Sequence, residues 1–333
     1  AYSVQTKCQY IHYCHFLHHQ SIHYPLIYLS FIGILYAKSA KVNFLLDKLN
    51  LFYIIIVMFI DIHAHINDSK LIDDVDNVID RANKAGVKYI VNATCDVKSI
   101  KETLELAKKY ENVYATLGIH PQAIFEYDDE IEELIYSNKN NQKVIGIGEI
   151  GLDYHDMETQ IAYIKQDYPQ YENITEEEVK NKQKEVFIKQ IELASKMNLP
   201  IVVHSRDATA DTLEIIQSNI NLLKYKGLRP CFSGSVEVAK EYFKMGFYIS
   251  VGGSITFKNA RCIPDVIREC GIDNVMLETD CPYLSPEPYR GKINEPKNVV
   301  LVSDKIAEIL DINYRQVEEK TTENAFTLFG RLK

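Results

Sequence analysis

Positive charge is scarce in this sequence of 333 residues. The formal net charge is -9 at pH 7, which excludes a broad cationic surface that would hold nucleic acid through many phosphates at once. An anionic substrate would therefore have to bind at a local site. With 46% hydrophobic and 25% charged residues, the composition is that of an ordinary globular protein and excludes a disordered or low-complexity chain.

Paired cysteine motifs and long apolar runs are also missing. The seven cysteines are odd in number and none belongs to a CxxC pair, so we expect no disulfide framework and predict a reducing, cytoplasmic location. The apolar stretch from Pro25 to Ala37 is too short for a membrane helix, which requires roughly 20 residues. We therefore expect no association with a membrane.

Residues 1–57 have an unusual composition. They contain a single acidic residue, Asp47, and no arginine, and the first methionine of the chain is Met58. Their apolar residues follow neither a helical nor a strand period. We therefore predict that residues 1–57 are an irregular N-terminal extension, read through from upstream of a natural start at Met58, and that residues 58–333 form one folded domain. The alternative is a targeting segment, which would lack a basic leader and a clear cleavage site.

From Met58 onward, short β-branched runs alternate with amphipathic stretches of helical spacing. The predicted strands are Met58–Ile62, Val87–Asn92, Val113–Ile119, Lys143–Ile147, Pro200–Val203, Leu228–Phe232, Phe247–Val251 and Asn274–Leu277. The predicted helices are Asp73–Lys84, Lys98–Lys109, Lys182–Met197, Asp207–Ser218, Val236–Lys244, Cys262–Cys270 and Val299–Leu310, with one more at the C terminus.

This alternation predicts the fold class. Eight strands that alternate with helices are typical of a (β/α)8 TIM barrel, either regular or distorted. The competing fold is a doubly wound open sheet, which is disfavoured because no GxGxxG follows the first strand. The widest gap between strands contains Met157–Val179, which we predict to be an insertion that lengthens one loop.

Side chains with metal-binding chemistry stand at the ends of four predicted strands. Asp61, His63 and His65 are two residues apart on the first strand and therefore face the same side. The fourth, fifth and eighth strands are closed by Glu149, His204 and Asp280. A lone histidine there would more often be an ordinary core or loop residue. Three histidines and two carboxylates at the face where the strand ends of a barrel meet predict a divalent-metal site.

The order of its sequence motifs makes the chain resemble a known family. The motifs IDIHAH, GIHP, GEIGLDY, PIVVHSRDA, CFSGS, ETDCPYLSP and RGKINEP occur in the order seen in the TatD family of metal-dependent deoxyribonucleases, which belongs to the amidohydrolase superfamily. The resemblance extends from Met58 to about Gly330. It implies a TIM-barrel hydrolase that cleaves DNA phosphodiester bonds with one or two divalent ions.

The resemblance also implies a role for each site residue. His63, His65 and Asp280 would hold the first ion, Glu149 would bridge both ions, and His204 would hold the second. A divalent ion lowers the pKa of its bound water and polarises the phosphoryl oxygen, and Asp280 would act as the general base that accepts the proton of this water. The mixed nitrogen and oxygen ligands do not choose among Mg²⁺, Mn²⁺ and Zn²⁺.

Pro230 is a departure from the family pattern. In the family a histidine stands at this position, immediately before the CFSG-type motif, and completes the second metal site. Proline offers neither a ligand nor a backbone N–H. Three interpretations compete: one tight and one loose ion, which we favour, a changed substrate, or an impaired enzyme. A milder departure is Gln122, where relatives often carry another histidine.

Donors for substrate phosphates are expected at His120, Arg206 and Arg290. Each has an ordinary alternative, a loop cap for His120 and a surface ion pair for the arginines. Because the chain is acidic and no cationic groove is evident, we predict exonuclease-like cleavage of single-stranded or frayed DNA. Two other functions remain open. One is a related metal hydrolase of esters, amides or aminoacyl-tRNA, and the other is a catalytically impaired barrel that only binds a partner.

Overall fold

The computed structural model of the protein describes residues 58–332. The predicted extension, its possible targeting role and the cysteines within it lie outside these residues. Eight parallel strands form one sheet in which each strand pairs with the next along the chain. They are β1 (Phe59–Ala64), β2 (Val87–Ala93), β3 (Val113–Leu117), β4 (Val144–Asp153), β5 (Ile201–Arg206), β6 (Gly227–Arg229), β7 (Tyr248–Val251) and β8 (Val275–Leu277).

Backbone hydrogen bonds bring the first and last strands together at their carboxyl ends. Asp280 N donates to His63 O over 3.0 Å, and His65 N donates to Cys281 O over 2.8 Å. The sheet is thus a nearly closed barrel, and the predicted (β/α)8 fold is confirmed. A parallel sheet that closes in this way excludes the doubly wound alternative, because an open sheet leaves its two edge strands apart.

Helices follow the strands in sequence. They are α1 (Val75–Lys84), α2 (Val97–Lys109), α3 (Asp129–Ser137), α4 (Met157–Asp167), α5 (Glu176–Met197), α6 (Thr209–Asn219), α7 (Val236–Lys244), α8 (Cys262–Cys270), α9 (Val299–Leu310) and α10 (Tyr314–Leu328). Within residues 58–332, no helix has the length and apolar character needed to cross a membrane.

The segment Met157–Val179 differs from the predicted long loop. It contains α4, a short 3-10 helix at Pro169–Tyr171 and the start of α5. Thr175 caps α5 through Glu178 N, and the Glu178 side chain bonds back to Thr175 N, which is a capping box that begins a helix. The prediction failed here because only three residues of α4 are buried, so its apolar period is weak. The helix α3 was also missed; it is only nine residues long, and Ile135 is its only buried residue.

A buried cluster fills the amino-terminal end of the barrel. It joins strand residues with the end of α10, namely Ile60, Ile62, Val91, Tyr114, Ile145, Val202, Leu228, Met276, Ala325, Leu328, Phe329 and Leu332. Two hydrogen bonds join helix α10 to this end of the barrel. Thr322 Oγ1 donates to Met58 O, and Asn324 Nδ2 donates to Val275 O. The end of the chain therefore closes the barrel on the side opposite the strand ends that carry the polar groups.

Truncating a side chain in this cluster should lower the free energy of unfolding without disturbing the polar residues at the carboxyl ends of the strands. Phe329 is fully buried, and Phe329→Ala is expected to lower the free energy of unfolding by about 3–5 kcal/mol, because truncating a buried aromatic ring leaves a cavity. Chemical denaturation measures this loss. Phe326→Ala is the control, since Phe326 is only partly buried against the same cluster. Equal losses for both variants would contradict this account of the cluster.

Candidate metal centre

Two histidines at the carboxyl end of β1 face two carboxylates. His63 Nε2 lies 3.4 Å from Glu149 Oε2 and 3.8 Å from Asp280 Oδ1. His65 Nε2, just beyond β1, lies 3.5 Å from the same Asp280 oxygen. These separations are longer than ordinary N–H···O hydrogen bonds. The four side chains therefore surround a common space that is lined by ring nitrogens and carboxylate oxygens.

The opposite ring nitrogens show how the two imidazoles are held. His65 Nδ1 lies 3.1 Å from the carbonyl oxygen of Ala93, so in the neutral ring the proton lies on Nδ1 and the lone pair on Nε2. A histidine that binds a backbone carbonyl with one nitrogen and presents the other is typical of metal ligands. His63 is buried, and its Nδ1 has no hydrogen-bond partner among residues 58–332.

Glu149 lies between two histidines. Its Oε1 is 3.0 Å from His204 Nδ1, while its Oε2 faces His63. Burial alone would raise the pKa of the Glu149 carboxyl, but the charge of His63 and the hydrogen bond from His204 outweigh it, and the pKa lies well below its usual value. Glu149 is therefore held as an anion, with one oxygen turned toward each histidine.

The strand that carries Glu149 is longer than predicted. β4 continues through the glycine-rich run to Asp153, beside β5, where Gly151 pairs with His204. Gly151 has φ of +139°, and a Cβ there would collide with the backbone of His204. Glycine therefore allows the two strands to approach closely next to the site.

His204 is enclosed by polar side chains. Its Nδ1 faces Glu149, and its Nε2 lies 3.1 Å from Asp153 Oδ2. The ring of His120 packs against it, with centroids 4.2 Å apart. Burial, with a smaller contribution from His204, lowers the pKa of His120 to about 3, so this ring is neutral at physiological pH.

Pro230, where the resemblance implies a histidine, is buried directly after β6. The next residue, Cys231, places Sγ 3.8 Å from Asp280 Oδ2. Burial and the neighbouring Asp280 raise the pKa of this thiol well above its usual value. Among residues 58–332, Cys231 belongs to none of the groups whose ligand atoms lie close enough to share an ion.

The residues present fit a divalent cation. Three groups of side chains within residues 58–332 have ligand atoms close enough to share an ion, namely His63 with His65 and Asp280, His65 with Cys95 and Glu149, and His120 with Asp153 and His204. Together they form one continuous lining of imidazole nitrogens and carboxylate oxygens. Imidazole and carboxylate are the donors that Zn²⁺ and Mn²⁺ accept readily, and carboxylates also suit Mg²⁺.

Two further residues join the site without having been predicted. Cys95 Sγ lies 4.0 Å from His65 Nδ1. Asp153, which pairs with His204, is four residues after Glu149 on one strand, and this even spacing was a signal that both carboxylates share a face. Asp61 has a different role from its neighbours. It accepts a hydrogen bond from Thr279 N over 2.9 Å and so ties β1 to the segment after β8.

The three predicted substrate contacts lie in different settings. His120 is buried in the metal centre beside His204. Arg206 ends β5, is exposed, and lines a cavity of about 270 Å³ together with Gln122, Phe125 and Tyr168. Arg290 is exposed and stacks over the ring of Phe257, with 4.3 Å between the guanidinium carbon and the ring centroid. Neither arginine forms an ion pair with a described residue.

The fold and the site define a (β/α)8 protein with a metal-binding centre at the carboxyl ends of its strands. The model of the family described as "TatD related DNase" matches residues 60–330. The chain belongs to this family, whose members are metal-dependent hydrolases.

Relatives and solved structures agree with this assignment. The Bacillus subtilis protein named "Uncharacterized metal-dependent hydrolase YabD" is 39% identical over 272 residues, which cover 82% of this chain and 99% of that one. The hydrolase MJ1582 of Methanocaldococcus jannaschii, which has the same descriptive name, is 34% identical, with coverage of 83% and 98%. The crystal structure of YJJV, a TatD homolog from Escherichia coli, superposes with a TM-score of 0.71 at 28% identity and covers 82% of this chain and 98% of that one.

Proposed function

We propose that the protein is a divalent-metal-dependent deoxyribonuclease that hydrolyses phosphodiester bonds at the ends of single-stranded or frayed DNA. The observation that carries this proposal is the position of Glu149 between His63 and His204, with His65 and Asp280 beside it. The description of the family as TatD related DNases supports DNA as the substrate.

The ligands would fall into two sets. His63, His65 and Asp280 would hold a first ion, and Glu149 would contribute to this ion and, with His204, to a second. When bound, such ions polarise the phosphoryl oxygen and make water a stronger nucleophile at neutral pH. The anionic charge of Glu149 and Asp280 offsets part of the positive charge that is brought into this largely buried site.

Asp280 is the best-placed proton acceptor. Its side chain keeps 19% of its surface exposed, whereas that of Glu149 keeps 8%. Solvent therefore reaches the Asp280 carboxylate more easily. Oδ1 of Asp280 faces His63 and His65, and among the described residues Oδ2 contacts the weakly polar Cys231 thiol. A carboxylate in this setting accepts the proton of the attacking water as a general base.

His120 and Arg206 would bind and orient the substrate. His120 Nδ1 accepts a hydrogen bond from Gln122 N over 3.2 Å, so the neutral ring carries its proton on Nε2 and donates it to a phosphate oxygen. In the cavity beside Arg206, Phe125 and Tyr168 lie with ring centroids 5.6 Å apart and offer a surface on which a base stacks. Glu126, Asp156 and Asp167 also line this cavity, and they would repel a long polyanion, which favours the end of a strand.

Metal titration with a defined substrate tests the proposal. The metal-stripped chain would be mixed with an end-labelled single-stranded oligonucleotide, and nucleotide release would be followed as Mg²⁺ or Mn²⁺ is added. We expect release that saturates with metal and proceeds from one end. Faster nicking of closed circular duplex would contradict the preference for ends. No release at any metal concentration would contradict the nuclease function.

The two exposed arginines should act mainly on substrate binding. Arg206→Ala and Arg290→Ala are each expected to raise KM for the oligonucleotide severalfold with little change in kcat. Each should also reduce the slope of log Kd against log salt by roughly 0.7, the value for one phosphate contact on a single strand. Arg268→Ala is the control, because Arg268 pairs with Asp265 on the surface of α8 at 2.7 Å. A slope that stays unchanged would exclude a phosphate contact for the arginine concerned.

A further inference from the structure

Asp153 has no role in the function proposed above, yet it contacts one of the predicted ligands. It is the last residue of β4 and only 1% exposed. Its Oδ2 lies 3.1 Å from His204 Nε2. Among the described residues, His204 is the only basic side chain within ion-pair distance of this carboxylate. A buried carboxylate whose only basic neighbour within ion-pair distance is one histidine, among the described residues, is suited to fix the orientation of that histidine ring.

Neutral amide groups form hydrogen bonds with the carboxylate, the backbone N–H and the backbone carbonyl of Asp153. Gln122 Nε2 donates to Oδ2 over 3.0 Å, and His155 N donates to Oδ1 over 3.0 Å. The buried Gln183 accepts from Asp153 N over 2.9 Å and donates to Asp153 O over 3.0 Å. Gln160 Nε2 also donates to Asp153 O, over 3.2 Å. The backbone and the side chain of Asp153 are therefore both fixed before any ligand binds.

The two ring nitrogens of His204 face two different carboxylates, Glu149 at Nδ1 and Asp153 at Nε2. We propose that Asp153 is a positioning residue for the second cation. Its Oδ2 accepts a hydrogen bond from His204 Nε2. Without a cation, Nδ1 donates to Glu149; when a cation takes the place of that proton, the lone pair of Nδ1 is directed at the space beside Glu149. This inference rests on the proposed function, because it requires a second ion between Glu149 and His204. Outer hydrogen bonds of this kind fix the tautomer and the orientation of a ligating imidazole.

Pro230 makes this contact more important in the present chain. With no ligand from the position after β6, the second ion depends on Glu149 and His204 among the predicted ligands. The orientation of His204 then controls much of the affinity. A direct ligand role for Asp153, together with His120 and His204, is the other arrangement. It is disfavoured because Gln122 already bonds both His120 Nδ1 and Asp153 Oδ2.

Calorimetric titration of the full-length, metal-stripped chain with Mn²⁺ tests the inference. The unmodified chain is expected to bind in two phases, one tight and one weak. Asp153→Asn should weaken the second phase 10–100-fold, which is the usual effect of losing an outer partner of a ligand, and leave the first phase within about twofold. Asp207→Asn is the matched control, because Asp207 pairs with the exposed His155 at 2.7 Å and should leave both phases unchanged.

Long-range ¹⁵N–¹H spectra of the zinc-loaded chain supply a second readout that is independent of affinity. The signals of His204 would be identified by their absence in His204→Gln. We expect the proton on Nε2 and the metal on Nδ1, and faster exchange of the Nε2 proton in Asp153→Asn. If Asp153→Asn fails to fold, Gln122→Leu removes one hydrogen bond from Oδ2 at an exposed residue and should weaken the second phase by a smaller factor.

Three results would overturn the inference. They are a second phase that Asp153→Asn leaves unchanged, metal on Nε2 of His204 with the proton on Nδ1, and a single binding phase in the unmodified chain. None of these measurements depends on DNA. A chain that binds two ions as expected but releases no nucleotide would contradict the nuclease function and support the role of Asp153.

Discussion

Replacing Glu149 with glutamine should reduce kcat for oligonucleotide cleavage by roughly a thousandfold or more, even at high metal concentration. Glutamine keeps the size of the side chain but loses the charge that faces His63 and His204 at 3.4 and 3.0 Å. Its amide also places N–H donors against one of these rings. Both cation sites lose a shared anion, so the affinity for both ions should fall together.

The same substitution should remove the stabilisation that metal gives to the fold. An ion that binds only the native state raises the melting temperature by mass action. We therefore expect a chelator to lower the Tm of the unmodified chain and to leave the Tm of Glu149→Gln almost unchanged. Glu318→Gln is the matched control, since Glu318 is equally buried but bonds Met58 N at the opposite end of the barrel. Full metal binding by Glu149→Gln would refute the bridging role.

Introducing the histidine that the family has at position 230 should strengthen the second cation site. Pro230→His supplies an imidazole directly after β6 and before Cys231, whose thiol lies 3.8 Å from Asp280 Oδ2. We expect the second dissociation constant to fall on the order of a hundredfold, which corresponds to about 2.7 kcal/mol. Calorimetric titration measures this constant, and the metal concentration that half-saturates nucleotide release should fall with it.

Pro230→Ala separates the new ligand from the loss of the proline ring. It should leave the second constant near its original value, because alanine offers no donor atom. If the histidine and alanine variants bind the second ion equally, position 230 is not a ligand position in this chain. In the Pro230→His background, Asp153→Asn should cost less than in the original chain, since the second ion then has another protein ligand.

Much of the fold was predictable from local sequence. The β-branched runs and the helical periods between them encode buried parallel strands and amphipathic helices, so all eight strands were placed near their observed positions. The errors fall where the local signal is weak. β4 was ended at Ile147 instead of Asp153 because its last residues are rich in glycine, and pairing with β5 extends it. The helices α3 and α4 are short and bury few side chains.

The types of residue in the site were also readable from the sequence, because imidazoles and carboxylates at strand ends are costly there without a cation. Their grouping around two ions came from the family resemblance, and the contacts of His204 with Asp153 and His120 were not predicted. His204 meets Asp153 across 51 positions of the chain, and meets His120 across 84, through the register of β5 beside β4 and the packing of the loop after β3. Such contacts depend on how strands align in space. Local propensity therefore identified the candidate ligands, the family resemblance implied that Glu149 lies between histidines, and the tertiary structure alone decided that Asp153 and His120 contact His204.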